Sequence, residues 1–174
     1  MKRLITILIL FGLLAPPISM AQQQATATVN GQVFRLTLLP GWDREPRRED
    51  FDSAYLRIGS PDGIDEGAIY LQVFPKGRFT EETYQRAVRR YITERMDGTL
   101  LAESTPTIDG KKAWRVEYEG VSVGYVGSRR HFLNTVFFVG EQIVVVHCAA
   151  QSDRWDEFRE NFIATSDSFE AADN

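Results

Sequence analysis

The sequence predicts an α+β fold, a central, mainly antiparallel sheet flanked by helices. Three observations carry this. Arg130 to Ala149 holds two runs rich in β-branched and aromatic residues around Gly140-Glu141, the pattern of a hairpin with a two-residue II′ turn. Both faces of that hairpin are apolar. Phe132, Val136, Phe138, Ile143 and Val145 share one face, and Leu133, Phe137, Val144, Val146 and Cys148 share the other, so the hairpin needs cover on both sides. Finally, Asn30-Gly31 and Asp109-Gly110 are further tight-turn dipeptides, so most strands pair with their chain neighbours and run antiparallel. The turn at Gly140-Glu141 also sets a register. It puts Phe138 opposite Ile143, Val136 opposite Val145, Asn134 opposite His147 and Phe132 opposite Ala149.

The elements follow in chain order. Gln22 to Thr26 reads as a loose polar start. Val33 to Leu39 is a strand with Phe34, Leu36 and Leu38 on one face, stopped by Pro40-Gly41-Trp42. Asp43 to Asp52 is charged and reads as a loop or short helical turn, with Trp42 able to fold back onto the core. Ala54 to Ile58 is a short strand, Ser60 to Gly67 a loop, and Ala68 to Phe74 a strand closed by Pro75.

Thr80 to Met96 is a helix. Thr80 is its N-cap, Glu81 and Glu82 favour its first turn, and Phe79 and Tyr84 are placed as a hydrophobic staple. Tyr84, Val88, Tyr91, Ile92 and Arg95 trace one stripe, and Asp97-Gly98 supplies the stop. Leu100 to Ile108 and Lys111 to Glu119 are strands, and Val121 to Val126 extends them or adds one. A last helix starts at Asp153 behind a Ser152 cap, with Trp155, Phe158, Phe162 and Ile163 as its apolar stripe and Phe169 as a plug into the core. The sum is about seven strands and two helices.

The N-terminus reads as a secretory signal peptide. Lys2 and Arg3 precede an apolar run from Leu4 to Leu14, and Ser19-Met20-Ala21 supplies small residues for cleavage after Ala21. The run is shorter than the roughly 20 residues that span a bilayer. The expected mature chain is therefore a single domain, residues 22–174, without a transmembrane span and placed in the periplasm or secreted. Gln22, not a cysteine, directly follows the cleavage site, so no lipid anchor is expected. Removing Lys2 and Arg3 from 20 basic residues leaves 18 against 24 acidic ones, a net −6, which argues against nucleic acid as a partner. Cys148 is the one cysteine, so no internal disulfide forms, and its apolar face marks it as a buried small hydrophobe.

The order of these elements carries a family resemblance. The first strand ending Leu38-Leu39-Pro40-Gly41-Trp42 resembles the opening of PsbP-like, Mog1-like and DcrB-like domains. The mid-chain helix, the Asp109-Gly110-Lys111 hairpin with an aromatic second strand, and a last helix followed by Ser168-Phe169 sit where that group has them. The resemblance covers nearly all of residues 22–174. It implies an α/β/α sandwich and a non-catalytic, extracytoplasmic accessory, assembly or binding role. Many bacterial members are lipoproteins, from which this chain departs by lacking the lipobox cysteine. The group has no shared catalytic motif, so no residue role is carried over.

Several patterns invite a chemical reading. Gly120-Val-Ser122-Val-Gly124 matches G-x-S-x-G, but a nucleophile elbow needs a helix after the serine, and no aspartate lies between Ser122 and His147. His131 and His147 are the two histidines. His147 and Cys148 point to opposite faces of a strand, and Asn134 across the hairpin is placed to satisfy His147 by hydrogen bonding. Glu117 and Glu119 share a strand face, the pattern of paired catalytic carboxylates or, more simply, of a solvated face beside Arg115. Asp62, Asp65 and Glu66 in a Gly-rich loop are either a weak calcium site or, more simply, solvated loop acids, and their spacing is not that of an EF-hand loop. Ser128-Arg-Arg-His-Phe-Leu133 resembles a twin-arginine export motif, but that signal acts at an N-terminus.

Trp42 with Arg44, Arg47 and Arg48 makes a cationic patch suited to an acidic partner, since Trp and Arg are favoured binding anchors. The expectation is an exported, non-catalytic binding or accessory protein of the cell envelope. It has no metal or other cofactor, and its partner is a protein of the envelope. The alternatives are an inhibitor or immunity-type protein for a secreted enzyme and, less well supported, a small serine hydrolase using Ser122.

Overall fold

The computed structural model describes residues 23–46, 54–121 and 128–172. The expected signal peptide therefore lies outside the described residues, as do Arg47, Arg48 and Ser122. The elements are β1 (Gln23–Val29), β2 (Gln32–Leu38), β3 (Asp43–Arg44), β4 (Ala54–Ser60), β5 (Gly63–Pro75), α1 (Glu81–Arg95), β6 (Thr99–Ser104), β7 (Thr107–Ile108), β8 (Lys111–Val121), β9 (Arg129–Val139), β10 (Gln142–Gln151), α2 (Trp155–Asp167) and β11 (Glu170–Ala172). The larger sheet runs β3-β4-β5-β10-β9-β8-β6, with β7 paired to the start of β8. Every pairing in it is antiparallel.

The β9–β10 hairpin is central, and all four expected cross-strand pairs are present. Gly140 at φ 55° takes the positive φ that a II′ turn requires at its first position. At the β7–β8 hairpin both Asp109 (φ 48°) and Gly110 (φ 69°) are positive, the I′ form. Because the hairpin is apolar on both faces, the molecule has two cores. On one face Phe137, Val144, Val146 and Cys148 pack with Phe158, Phe162 and Phe169 around α2. On the other, Phe132, Val136, Ile143 and Val145 pack with Ile92 and Met96 of α1.

Three expectations need correction, and one element is new. The supposed loose start at Gln22–Thr26 is strand from Gln23, because β1 pairs with β2 and buries Ala25, Ala27 and Val29. The supposed loop from Ser60 to Gly67 is only the turn Pro61-Asp62, and β5 begins at Gly63. Arg154 pairs with Asp62 of the turn and Glu66 of the strand. Ser152 does not cap a helix at Asp153. A 3-10 turn spans Ser152–Arg154, and the Ser152 hydroxyl donates to the Arg129 carbonyl instead. Finally, β11 was not foreseen. Its three residues close a second sheet, β1-β2-β11, which together with α2 covers the Phe137 face.

Phe169 is the plug the pattern suggested. It is fully buried and stacks on Phe137 at 4.1 Å and on Phe34 at 6.0 Å. It ties α2 and the small sheet to the large one. At the end of α1 the left-handed residue is Asp97 (φ 45°), and Gly98 serves another purpose. A Cβ on Gly98 would lie 2.6 Å from the Glu119 carbonyl oxygen, so only glycine lets the helix end approach β8 this closely.

Candidate functional site

The sequence candidates separate to different parts of the fold. His131 and His147 project from opposite faces of the sheet. His131 faces α2, with Nε2 3.1 Å from Glu117 Oε1, and its ring stacks on Trp155 at 3.8 Å with the planes 1° apart. Glu117 also accepts from Trp155 Nε1 at 3.2 Å and from Arg159 Nη2 at 3.1 Å. Glu119 lies 3.6 Å from His131 Nδ1. Burial holds His131 below its ordinary pKa even with Glu117 beside it. Glu117 is thus not part of a solvated carboxylate pair. It is the hub that satisfies three buried or half-buried donors beneath α2.

Asp62 and Glu66 are likewise committed. Arg154 donates to Asp62 at 2.7 Å and to Glu66 at 3.3 Å, and Gln151 donates to Glu66 at 3.0 Å. Among the described residues, no group of three or more histidine, cysteine, aspartate or glutamate side chains is arranged to hold a metal ion. Cys148 is fully buried, 3.8 Å from the Ser166 hydroxyl, and burial pushes its thiol up to about 12. A thiol with so little thiolate is a packing residue.

Trp42 is also a core residue rather than a surface anchor. It is 3% exposed and meets Phe158 and Phe162 edge-on, each at 5.7 Å. An indole held there cannot reach a partner. Its role is to pin the base of the segment that carries Arg44, which is exposed.

The opposite face of the sheet holds a feature that no single stretch of sequence announced. Helix α1 is tied down at its two ends. At its start Phe79 meets Tyr84 edge-on at 5.7 Å, the expected staple, and Tyr84 meets Phe138 edge-on at 5.9 Å. At its end Ile92 and Met96 are buried, and the Val121 N–H donates to the Met96 carbonyl at 2.7 Å. Between these tethers the helix presents the short side chains of Ala87 and Val88, with the half-exposed Tyr91 at the opening, and a cleft of about 630 Å³ remains. That volume lies within the range of small-molecule sites, which are commonly about 300–1,000 Å³.

The cleft wall is mostly aromatic, with Phe74, Tyr84, Tyr91, Tyr118 and Phe132 among its residues. None of its described lining residues is charged. Its polar floor is a short chain of hydrogen bonds. His147 Nδ1 lies 2.6 Å from Asn134 Oδ1, and Asn134 Nδ2 donates to the Tyr118 hydroxyl oxygen at 3.3 Å. With the amide oxygen turned to the ring, as here, Nδ1 carries the imidazole proton and Nε2 is left as an acceptor; the reversed amide exchanges these roles. Burial pushes His147 down to about 4, so the ring is neutral near pH 7. Burial raises the Tyr118 and Tyr84 hydroxyls, Tyr84 to about 12, so both stay protonated.

The sequence showed one part of this site. The His147–Asn134 pair follows from hairpin register alone. Tyr118 from β8, Tyr84 from α1 and Phe74 from β5 join it only through sheet order and helix placement.

No protein-family model matches the sequence, and no curated protein matches it. Solved structures do. The chain is similar to the cyanobacterial PsbP protein (CyanoP) of Synechocystis sp. PCC 6803, at 13% identity and TM-score 0.63 over 91% of this chain and 97% of that one. It is similar to LpqN of Mycobacterium tuberculosis, a protein involved in cell envelope biogenesis, at 12% identity and TM-score 0.67 over 88% and 92%. It is similar to the Ran-binding protein Mog1p of Saccharomyces cerevisiae, at 11% identity and TM-score 0.54 over 86% and 96%. Identities this low speak to fold alone. The antiparallel sheet with a helix on each face, matched over nearly the whole length of all three, gives this chain the PsbP/Mog1-like fold.

Proposed function

We propose that the chain is an exported accessory protein of the cell envelope that acts by binding, with the cleft under α1 as its binding site. The observation that carries this is the cleft itself: an uncharged aromatic cavity whose histidine is neutral and hydrogen-bonded to an amide. General acid–base chemistry near neutral pH favours a group whose pKa lies near the working pH, and His147 at about 4 is far below it. A preformed apolar cavity with a few fixed polar groups is what ligand recognition needs. The envelope assignment is supported by the leader-like residues 1–21 and by the likeness to LpqN. The segment after Trp42, with Arg44, Arg47 and Arg48, is the proposed contact for an acidic envelope protein.

The test is retention of envelope components by the immobilised protein, compared with Ala87→Trp. Ala87 is an exposed helix residue at the cleft, so tryptophan there closes the opening without touching the core. A protein or small molecule held by the wild type and lost from Ala87→Trp is the expected result. Equal retention by both would remove the cleft from the function. Arg47→Glu with Arg48→Glu tests the arginine segment separately, through loss of a crosslinked protein partner.

A further inference from the structure

We propose that the cleft under α1 selects an uncharged, largely apolar small molecule bearing one hydroxyl group, which hydrogen-bonds to His147 and Tyr118 together. The inference rests on the binding role proposed above and specifies its ligand. Three features of the cavity lead to it.

The first is charge. A buried ion needs a partner, and no described side chain lining the cleft supplies one. His147 does not protonate near neutral pH to receive a carboxylate or phosphate, because it is half-buried and packed among Phe132, Tyr70 and Asn134, where desolvation lowers its pKa. Anions and cations are therefore both disfavoured relative to neutral molecules.

The second is the wall. Phe74, Tyr84, Tyr91 and Phe132 come from three different elements and present ring surface to one space. Tyr91 is 48% exposed and Phe79 44% exposed, so apolar area remains at the opening for a ligand to cover. The body of the ligand is apolar, and aromatic rings suit it through offset or edge contacts.

The third feature is the floor, and it identifies the polar group. Asn134 uses Oδ1 on His147 and Nδ2 on Tyr118. No further hydrogen-bond partner for His147 Nε2 or the Tyr118 hydroxyl proton is present among the described residues. The His147–Asn134–Tyr118 chain thus offers one acceptor, Nε2, and one donor, the Tyr118 O–H, beside the other polar lining groups on Gln72, Tyr84 and Tyr91. Turning the Asn134 amide over reverses both roles. Nε2 then carries the proton and donates, and the Tyr118 oxygen accepts, because its proton now goes to Asn134. Either way the floor presents one donor and one acceptor. A hydroxyl donates and accepts through one atom, so it answers both arrangements. A ketone or ether can only accept, and leaves one floor group unpaired.

The experiment uses the full chain, expressed with its N-terminus intact and purified from the compartment it reaches. Three probes of one shape are titrated calorimetrically near pH 7: 4-butylphenol, butylbenzene and 4-butylbenzoate. The expected order is phenol tightest, butylbenzene weaker by about tenfold, and the anionic benzoate weakest. Tyr118→Phe removes one oxygen and keeps the ring that stacks on Phe132 at 4.9 Å, so the fold should survive; its thermal midpoint checks this. That variant should bring 4-butylphenol about fivefold or more towards butylbenzene and leave butylbenzene unchanged. Equal binding of phenol and butylbenzene, or an unchanged preference in Tyr118→Phe, overturns the hydroxyl inference while leaving the cleft as a binding site. Binding of none of the three, or equal binding by Ala87→Trp, overturns both.

Discussion

His147 should make this protein acid-sensitive in a way that one substitution removes. Its imidazole is half-buried in the cleft floor, and desolvation there lowers it from 6.5 to about 4. In the unfolded chain it titrates near 6.5. Between those values the unfolded state binds more protons than the folded one, so stability rises with pH there and falls as pH drops. The loss begins as pH falls through about 6.5 and is complete below about 4. From the two pKa values the cost is about 2 kcal/mol between roughly pH 7 and pH 5, and about 3 kcal/mol by roughly pH 4. Carboxylates such as Glu103, which Arg89 holds below its ordinary value, also weaken the fold in acid, so the wild type alone is not diagnostic. The comparison with His147→Gln is, because glutamine can keep a hydrogen bond to Asn134 and does not titrate. Urea midpoints at about pH 7 and about pH 5 should converge, with the wild type losing about 2 kcal/mol more than the variant. Parallel losses in the two proteins would refute the claim that His147 is desolvated and neutral.

Other outcomes follow from the packing. Phe169→Ala should cost about 3–5 kcal/mol, because it empties a fully buried site between Phe137 and Phe34; a thermal midpoint shift of only a degree or two would contradict the tie between α2 and the sheets. Gly98→Ala should destabilise by about 1–3 kcal/mol, since the new methyl meets the Glu119 carbonyl; a neutral or stabilising result in chemical denaturation would show that α1 does not approach β8 so closely. Cys148 should resist a thiol reagent such as dithionitrobenzoate in the native protein and react at once in denaturant, given a buried thiol pushed up to about 12.

Local pattern was enough wherever the interaction was local. The β9–β10 register follows from one glycine turn and the two-residue period of strands, and it placed Asn134 against His147 before any tertiary contact was considered. Helix α1 was equally legible. Thr80 forms the cap and a capping box with Thr83, and Phe79 meets Tyr84 as the staple requires. Trp42 shows the limit. The same residue suits a surface anchor or a core cap, and its depth depends on where α2, more than a hundred positions later, comes to rest.

What the sequence alone determined is the class of fold, the central hairpin and the need for cover on both its faces, because hydrophobic period and turn chemistry act over a few residues. The tertiary structure decided the rest. Sheet order, which long-range packing sets, brought Glu117 under His131, Trp155 and Arg159 and turned an apparent carboxylate pair into a half-buried hub. The cleft depends on a helix held at both ends above a wide sheet, with Ala87 and Val88 between. No local pattern encodes that gap, because it is the space left when distant elements reach their own best contacts.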